Sequence, residues 1–185
     1  MSSSENRDKL IRTASRLFRS KGYAGVGLKE ILEAADLPKG SLYYHFPGGK
    51  VELADAATRW AGDWVAAMLG QCFDQAASFK EGGVRACEAL AAAAEPQSCV
   101  PACPVVSILQ ATPSEPALRK TAQEIYDMWT AGLARQAERF GVDDPQQAAL
   151  SLHMRLQGAW ILAYAQQSGA AFHHLAAELR KETVG

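Results

Sequence analysis

Apolar side chains along this 185-residue chain recur at intervals of three and four, the period of helices buried on one face. Over residues 4–20 they fall at Leu10, Ile11, Ala14, Leu17 and Phe18, and Lys21-Gly22 supplies a stop. Leu28, Ile31, Leu32 and Ala35 repeat the rhythm over 28–35. Pro38 then opens a short helix running to Phe46, because proline suits a first turn where its missing N–H would have no partner anyway. Only Asp36-Leu37 separates the two. A turn that short sets the second helix across the first, the arrangement by which a helix-turn-helix presents its second helix to a major groove.

Pro47-Gly48-Gly49 breaks the chain, and a long helix is expected over 50–73 with Leu53, Ala57, Trp60, Ala61, Trp64 and Met68 along one side. Gly82-Gly83 reads as a second break, followed by an Ala-rich helix over 84–94. Residues 95–103, with Pro96 and Pro101 inside and Pro104 next, read as a loop. Helices are expected over 104–110, 115–140, 145–168 and 170–182, the last with Phe172, Leu175, Ala176 and Leu179 on one face. No strand alternation appears. The expected fold is all-α with about nine helices: an N-terminal three-helix domain over 1–50 that carries the helix-turn-helix, and a helical domain over 51–185.

Charge sharpens this division. Residues 1–50 hold nine Lys or Arg against five Asp or Glu, whereas 51–185 hold ten against fifteen. A basic head on an acidic body fits a protein with one nucleic-acid face, since phosphate contacts supply most non-specific binding energy. The first seven residues are polar and lack the apolar stretch of a secretory signal. No run of about 18 apolar residues exists either, so a cytoplasmic location is expected. In that compartment Cys72, Cys87, Cys99 and Cys103 are expected as thiols. Cys99-x3-Cys103 has no nearby His and lacks zinc-site pairing, so neither metal nor cofactor is expected.

The segment Pro38-Lys39-Gly40-Ser41-Leu42-Tyr43-Tyr44-His45-Phe46 places Leu42 and Phe46, four apart, toward a core. Lys39, Ser41, Tyr43, Tyr44 and His45 are left for phosphates, sugars and base edges, and Gly40 allows close backbone approach. Tyr43 also has the alternative of packing against the first helix. Gly22-Tyr23, Ile31-Leu32-Glu33-Ala34-Ala35 and this segment, within residues 8–55, resemble the DNA-binding domain of the TetR family of repressors. The resemblance implies two-fold homodimers on palindromic double-stranded operators, with Lys50 on a phosphate. It also implies dimerisation through the last two helices, about 145–182, as a four-helix bundle. Gly27 departs from the family's usual Thr or Ser cap and Asp36 from its usual turn Gly. Pro47-Gly48-Gly49-Lys50 and Ala102-Cys103-Pro104-Val105 are similar to a branch that includes LmrA-like regulators of multidrug pumps.

Residues 145–168 are apolar nearly all round, with Leu150, Leu152, Met154, Leu156, Ala159, Trp160, Ile161, Leu162 and Tyr164, which requires burial on more than one side. For an effector pocket, Trp60, Trp64, Met68, Tyr126, Trp129, His153, Gln157, Trp160 and Tyr164 have spacings that could converge, which suits a small hydrophobic or aromatic effector. Ordinary core packing is the alternative for each. Two rival readings stand beside this one. The first is a regulator switched by thiol oxidation at Cys99 and Cys103. The second is a helical enzyme with Cys103 as nucleophile and His153 as base, which no motif supports and which leaves the head unexplained.

Overall fold

The computed structural model describes residues 3–94 and 100–182. The described residues form nine helices and no strands: α1 Ser3–Lys21, α2 Leu28–Ala34, α3 Lys39–His45, α4 Gly49–Asp74, α5 Phe79–Ala94, α6 Val106–Leu109, α7 Pro116–Arg139, α8 Pro145–Gln166 and α9 Ala170–Lys181. They fall into two compact units, Met1–Trp64 with Cys103–Ile125, and Val65–Ala102 with Tyr126–Gly185, so α4 and α7 each run through both.

In the first unit α1 packs against α2, α3 and α6. Leu10, Ile11, Ala14, Leu17 and Phe18 of α1 are buried with Val26, Ile31, Leu32, Leu42 and Phe46, as their spacing requires. Gly22, at φ 73°, ends α1 and donates its N–H to the Phe18 carbonyl. Asp36 takes the left-handed φ of 48° at the turn between α2 and α3, a conformation Asp accepts at lower cost than most side chains. Gly27 caps α2 with extended backbone and no side-chain hydrogen bond. The chain between α1 and α2 is tied to α6, because the Tyr23 N–H donates to the Ser107 carbonyl at 3.0 Å. The Ser107 hydroxyl in turn donates to the Pro104 carbonyl at 2.6 Å.

In the second unit α5 lies along α9, and both meet α8. Here the expected break at Gly82-Gly83 is corrected: both glycines lie inside α5, which starts at Phe79. They are there for packing. A Cβ at Gly82 would overlap the ring of the buried Phe73, and one at Gly83 would press on Leu152 at 3.3 Å and Leu179 at 3.4 Å. The helix start is secured by Ser78, whose hydroxyl accepts the Glu81 N–H, and by Glu81, whose carboxylate accepts the Ala77 N–H, close to a capping box. Gly82→Ala is therefore expected to destabilise the fold by about 1–3 kcal/mol through overpacking, despite alanine's better helix propensity. Thermal unfolding would show it as a fall of several degrees; an unchanged or raised midpoint would mean that Phe73 moves aside freely.

Asp144 caps α8 by accepting the Gln147 N–H, with Pro145 in the first turn. Across from α8, residues 100–102 are fastened by side chains. The Trp160 indole donates to the Pro101 carbonyl at 3.1 Å, and the Gln167 Oε1 accepts the Val100 N–H at 2.9 Å. Residues 95–99 of the expected loop, Cys99 included, lie outside the described residues.

Candidate functional site

Helix α3 divides as its apolar spacing predicts. Leu42 and Phe46 are fully buried, which fixes the helix on the core, while Tyr43 is 62% and Tyr44 74% exposed. Tyr43 therefore points outward instead of packing on α1. Lys39 and Gly40 are exposed, Ser41 and His45 partly so, and the His45 ring meets Tyr44 edge-on at 4.8 Å. Two large aromatic rings left in solvent on one seven-residue helix contribute little to the core and suit a surface that must meet sugars, phosphates and base edges.

Lys50, in the first turn of α4, sits beside this helix-turn-helix and is half-buried. Its Nζ lies 4.2 Å from the centre of the Tyr23 ring. Burial pushes the lysine below its ordinary pKa, and the nearby Glu115 carboxylate pushes it back up. Burial and the same Glu115 raise the Tyr23 phenol. At the other end of α1 the Arg7 guanidinium lies over the Phe46 ring at 5.3 Å. Periodicity gives no sign of Tyr23, Glu115 or Arg7 in these positions, because each belongs to a different element from its partner.

Of the residues considered for an effector pocket, the second unit brings Tyr126, Trp129, His153, Gln157 and Trp160 together. The His153 ring stands edge-on to Tyr126 at 5.2 Å and to Trp129 at 5.9 Å. Its Nδ1 is 2.7 Å from the Thr130 hydroxyl oxygen, which donates to the Tyr126 carbonyl at 2.9 Å. That hydroxyl has one proton, so it accepts from His153, and the neutral Nδ1–H tautomer follows. The Nε2 then accepts from the Gln157 amide at 3.4 Å, and the Gln157 oxygen accepts the Tyr126 hydroxyl at 3.5 Å. These last two bonds are long and weak, the opening in an otherwise satisfied chain. Trp160 closes the cluster and stacks edge-on against Phe172 at 6.2 Å.

The cavity among Trp129, His153, Gln157 and Trp160 measures about 10 Å³, room for at most one water. A cleft of about 240 Å³ between α4 and α7 shares Leu69, Trp129 and Leu133 with it. A larger groove of about 720 Å³ lies elsewhere in the unit, among Phe79, Lys80, Phe140 and Arg155. Its cations are already engaged with Glu182, Arg155 at the carboxylate and Lys80 at the carbonyl. The remaining pocket candidates are not part of the cluster. Trp60 and Trp64 belong to the first unit and are exposed, Met68 is half-buried with its sulfur 3.9 Å from Cys72, and Tyr164 faces solvent.

Burial lowers the His153 pKa from its ordinary value of 6.5. The unfolded chain then takes up the proton at higher pH than the folded one, so stability is full above about 6.5 and declines as pH falls below it. Urea unfolding at stepped pH between 7 and 5 is expected to show a steeper loss for the native chain than for His153→Gln. Parallel curves would mean that the ring accepts a proton in place. Both His153 nitrogens face Thr130 or Gln157, and Cys103 is buried in the first unit. Near Cys103 runs α1, where Arg19 has its pKa lowered by burial and lies within electrostatic reach of that cysteine.

Residues 10–57 match the family model of bacterial regulatory proteins of the tetR family, and residues 81–178 match that of the LmrA/YxaF-like transcriptional regulator C-terminal domain. The HTH-type transcriptional regulator LmrA of Bacillus subtilis (strain 168) is 28% identical over 179 residues, 95% of each chain. The uncharacterized HTH-type regulator YxaF of the same organism is 30% identical over 163 residues, 86% of this chain and 85% of its own. Among solved structures, the reduced form of Escherichia coli NemR has a TM-score of 0.82 at 20% identity over 95% of both chains. A TetR-family regulator from Agrobacterium tumefaciens has a TM-score of 0.84 at 15% identity, covering 99% of this chain and 100% of that one. At such identities these two likenesses concern the fold alone.

Proposed function

The chain belongs to the TetR family of DNA-binding transcriptional regulators, and on that premise we propose that it is a repressor which sits on a palindromic operator as a homodimer and leaves it when a small hydrophobic effector binds. Residues 1–50 read DNA; residues 51–185 bind the effector and the second subunit. The observation that carries the DNA reading is the division of α3, with Leu42 and Phe46 locked into the core while Lys39, Tyr43 and Tyr44 face out. Lys39, Ser41, Tyr43, Tyr44 and His45 meet the DNA, Gly40 lets the backbone come close, and Lys50 takes a phosphate. The relatives' names describe transcriptional regulators, which supports regulation without catalysis. No helix among the described residues is long and apolar enough to cross a membrane.

Exposed Leu150, Met154, Ile161 and Leu162 along α8 support dimerisation through α8 and α9, because a monomer gains nothing by exposing such a stripe. The effector enters at Tyr126, Trp129, His153, Gln157 and Trp160, where aromatic walls surround two long hydrogen bonds that a ligand hydroxyl or carbonyl can replace. Since that cavity is nearly closed, the ligand must favour an opened shape of the body. A coupling of about 1–3 kcal/mol between opening and DNA affinity suffices for induction.

The test is fluorescence anisotropy on DNA from upstream of the protein's own gene at several salt concentrations, followed by transcription in vitro from that DNA. Tight binding that weakens steeply with salt, with transcription falling on addition of protein, is expected. Affinity no greater than for random duplexes, or transcription that rises, would overturn the operator or the repressor reading respectively.

A further inference from the structure

We propose that Tyr23 is the positioning residue for the DNA contact of Lys50: its ring holds the lysine ammonium in place for the phosphate, and its backbone fastens that ring to α6. This role rests on the reading of Lys50 as a phosphate ligand given above.

Lys50 is attached to the first turn of α4 by a stem of four rotatable bonds, and ordering such a side chain opposes binding. Its Nζ already lies 4.2 Å from the Tyr23 ring centre, inside the range where a ring face attracts a cation. A ring face satisfies the charge without accepting conventional hydrogen bonds from all three N–H groups, so donors remain for phosphate oxygens. Tyr23 itself is fixed from two directions. Its ring packs on the fully buried Phe18 of α1 at 5.7 Å, and its N–H is bonded to the Ser107 carbonyl at 3.0 Å. Glu115, ahead of α7, contributes favourable charge to the same lysine and so opposes the effect of burial on it. The ammonium is thus set by residues from the α1–α2 turn and from the segment joining α6 to α7.

The test is a double-mutant cycle of Tyr23→Leu and Lys50→Met on an operator chosen from a random duplex pool by the native protein, with anisotropy recorded across salt concentrations. Lys50→Met is expected to weaken binding roughly tenfold at 0.1 M salt for each phosphate that the side chain no longer reaches, and to reduce the slope of log affinity against log salt by about 0.9 per phosphate. Tyr23→Leu should reproduce most of both changes, Tyr23→Phe should retain native values, and the double variant should bind no more weakly than Lys50→Met. A merely structural tyrosine would weaken binding equally in either lysine background and leave the slope native; that result overturns the proposal. Native affinity and slope in Lys50→Met would instead show that the phosphate reading itself is wrong, and the proposal falls with it. Should Tyr23→Leu fail to fold, as circular dichroism would reveal, Tyr23→Met fills similar volume without a ring face and is judged by the same criteria.

Discussion

The double variant Tyr44→Ala, Lys50→Ala is expected to bind operator DNA roughly 10³–10⁶-fold more weakly than the native protein at 0.1 M salt. Its fold should be unchanged. Tyr44 is mostly exposed and Lys50 half-buried, so neither truncation opens a cavity in the core around Leu42 and Phe46. The weakening has two sources. In a dimer each subunit releases one phosphate, which at that salt is worth about 0.9 in the logarithm of the affinity. Each subunit also gives up an aromatic side chain that meets sugar or base, where a good specific interaction contributes about 1–3 kcal/mol. Anisotropy titration checks the magnitude, and the salt series separates the sources: the lysine changes the slope, the tyrosine changes the intercept. Retained affinity would remove α3 and the start of α4 from the DNA interface.

A single charge on α8 should have a comparable effect by a different route. Ile161→Glu is expected to raise the dimer dissociation constant at least about a thousandfold, because burying an unpaired carboxylate between two apolar helices costs several kcal/mol. The isolated subunit should tolerate it, since Ile161 is 54% exposed there. Sedimentation should then give a folded monomer with native helical content and no tight operator binding, each half-site being too weak alone. A dimer that persists would move the interface away from this face of α8.

Much of the fold is legible in the chain because helical burial leaves a periodic trace. The rhythm of Leu10, Ile11, Ala14, Leu17 and Phe18, the stop at Gly22 and the proline before α3 are local signals, and local chemistry decides them. The start of α5 is also local, in Ser78 and Glu81, but Gly82-Gly83 is the louder signal in the sequence. Whether a glycine pair breaks a helix or makes room for a neighbour depends on Phe73, Leu152 and Leu179, which come near only in three dimensions. The cluster around His153 is half legible for the same reason. His153, Gln157 and Trp160 share a face of α8 by spacing, as Tyr126, Trp129 and Thr130 group on α7, and the structure joins the two sets. For Trp60 and Trp64 the spacing sets them on one side of α4 with Leu53, Ala57 and Ala61, but the structure buries those three and leaves both tryptophans exposed. The pairing of Tyr23 with Lys50 leaves no trace at all, since no period links a turn to the first turn of a helix 27 residues on.

The segment from Pro101 to Ser107 is gripped at both ends through main-chain oxygens: Trp160 donates to the first carbonyl and the Tyr23 amide to the last. Acceptors of that kind belong to every residue type. Side chains along the segment can therefore be exchanged over evolutionary time without cutting either bond, whereas the two donors offer no such freedom at Trp160, whose indole is the only apolar-bodied donor of that shape. A lineage that changes the side chains of this segment can thus inherit both of its anchorages intact, provided that it keeps this one tryptophan.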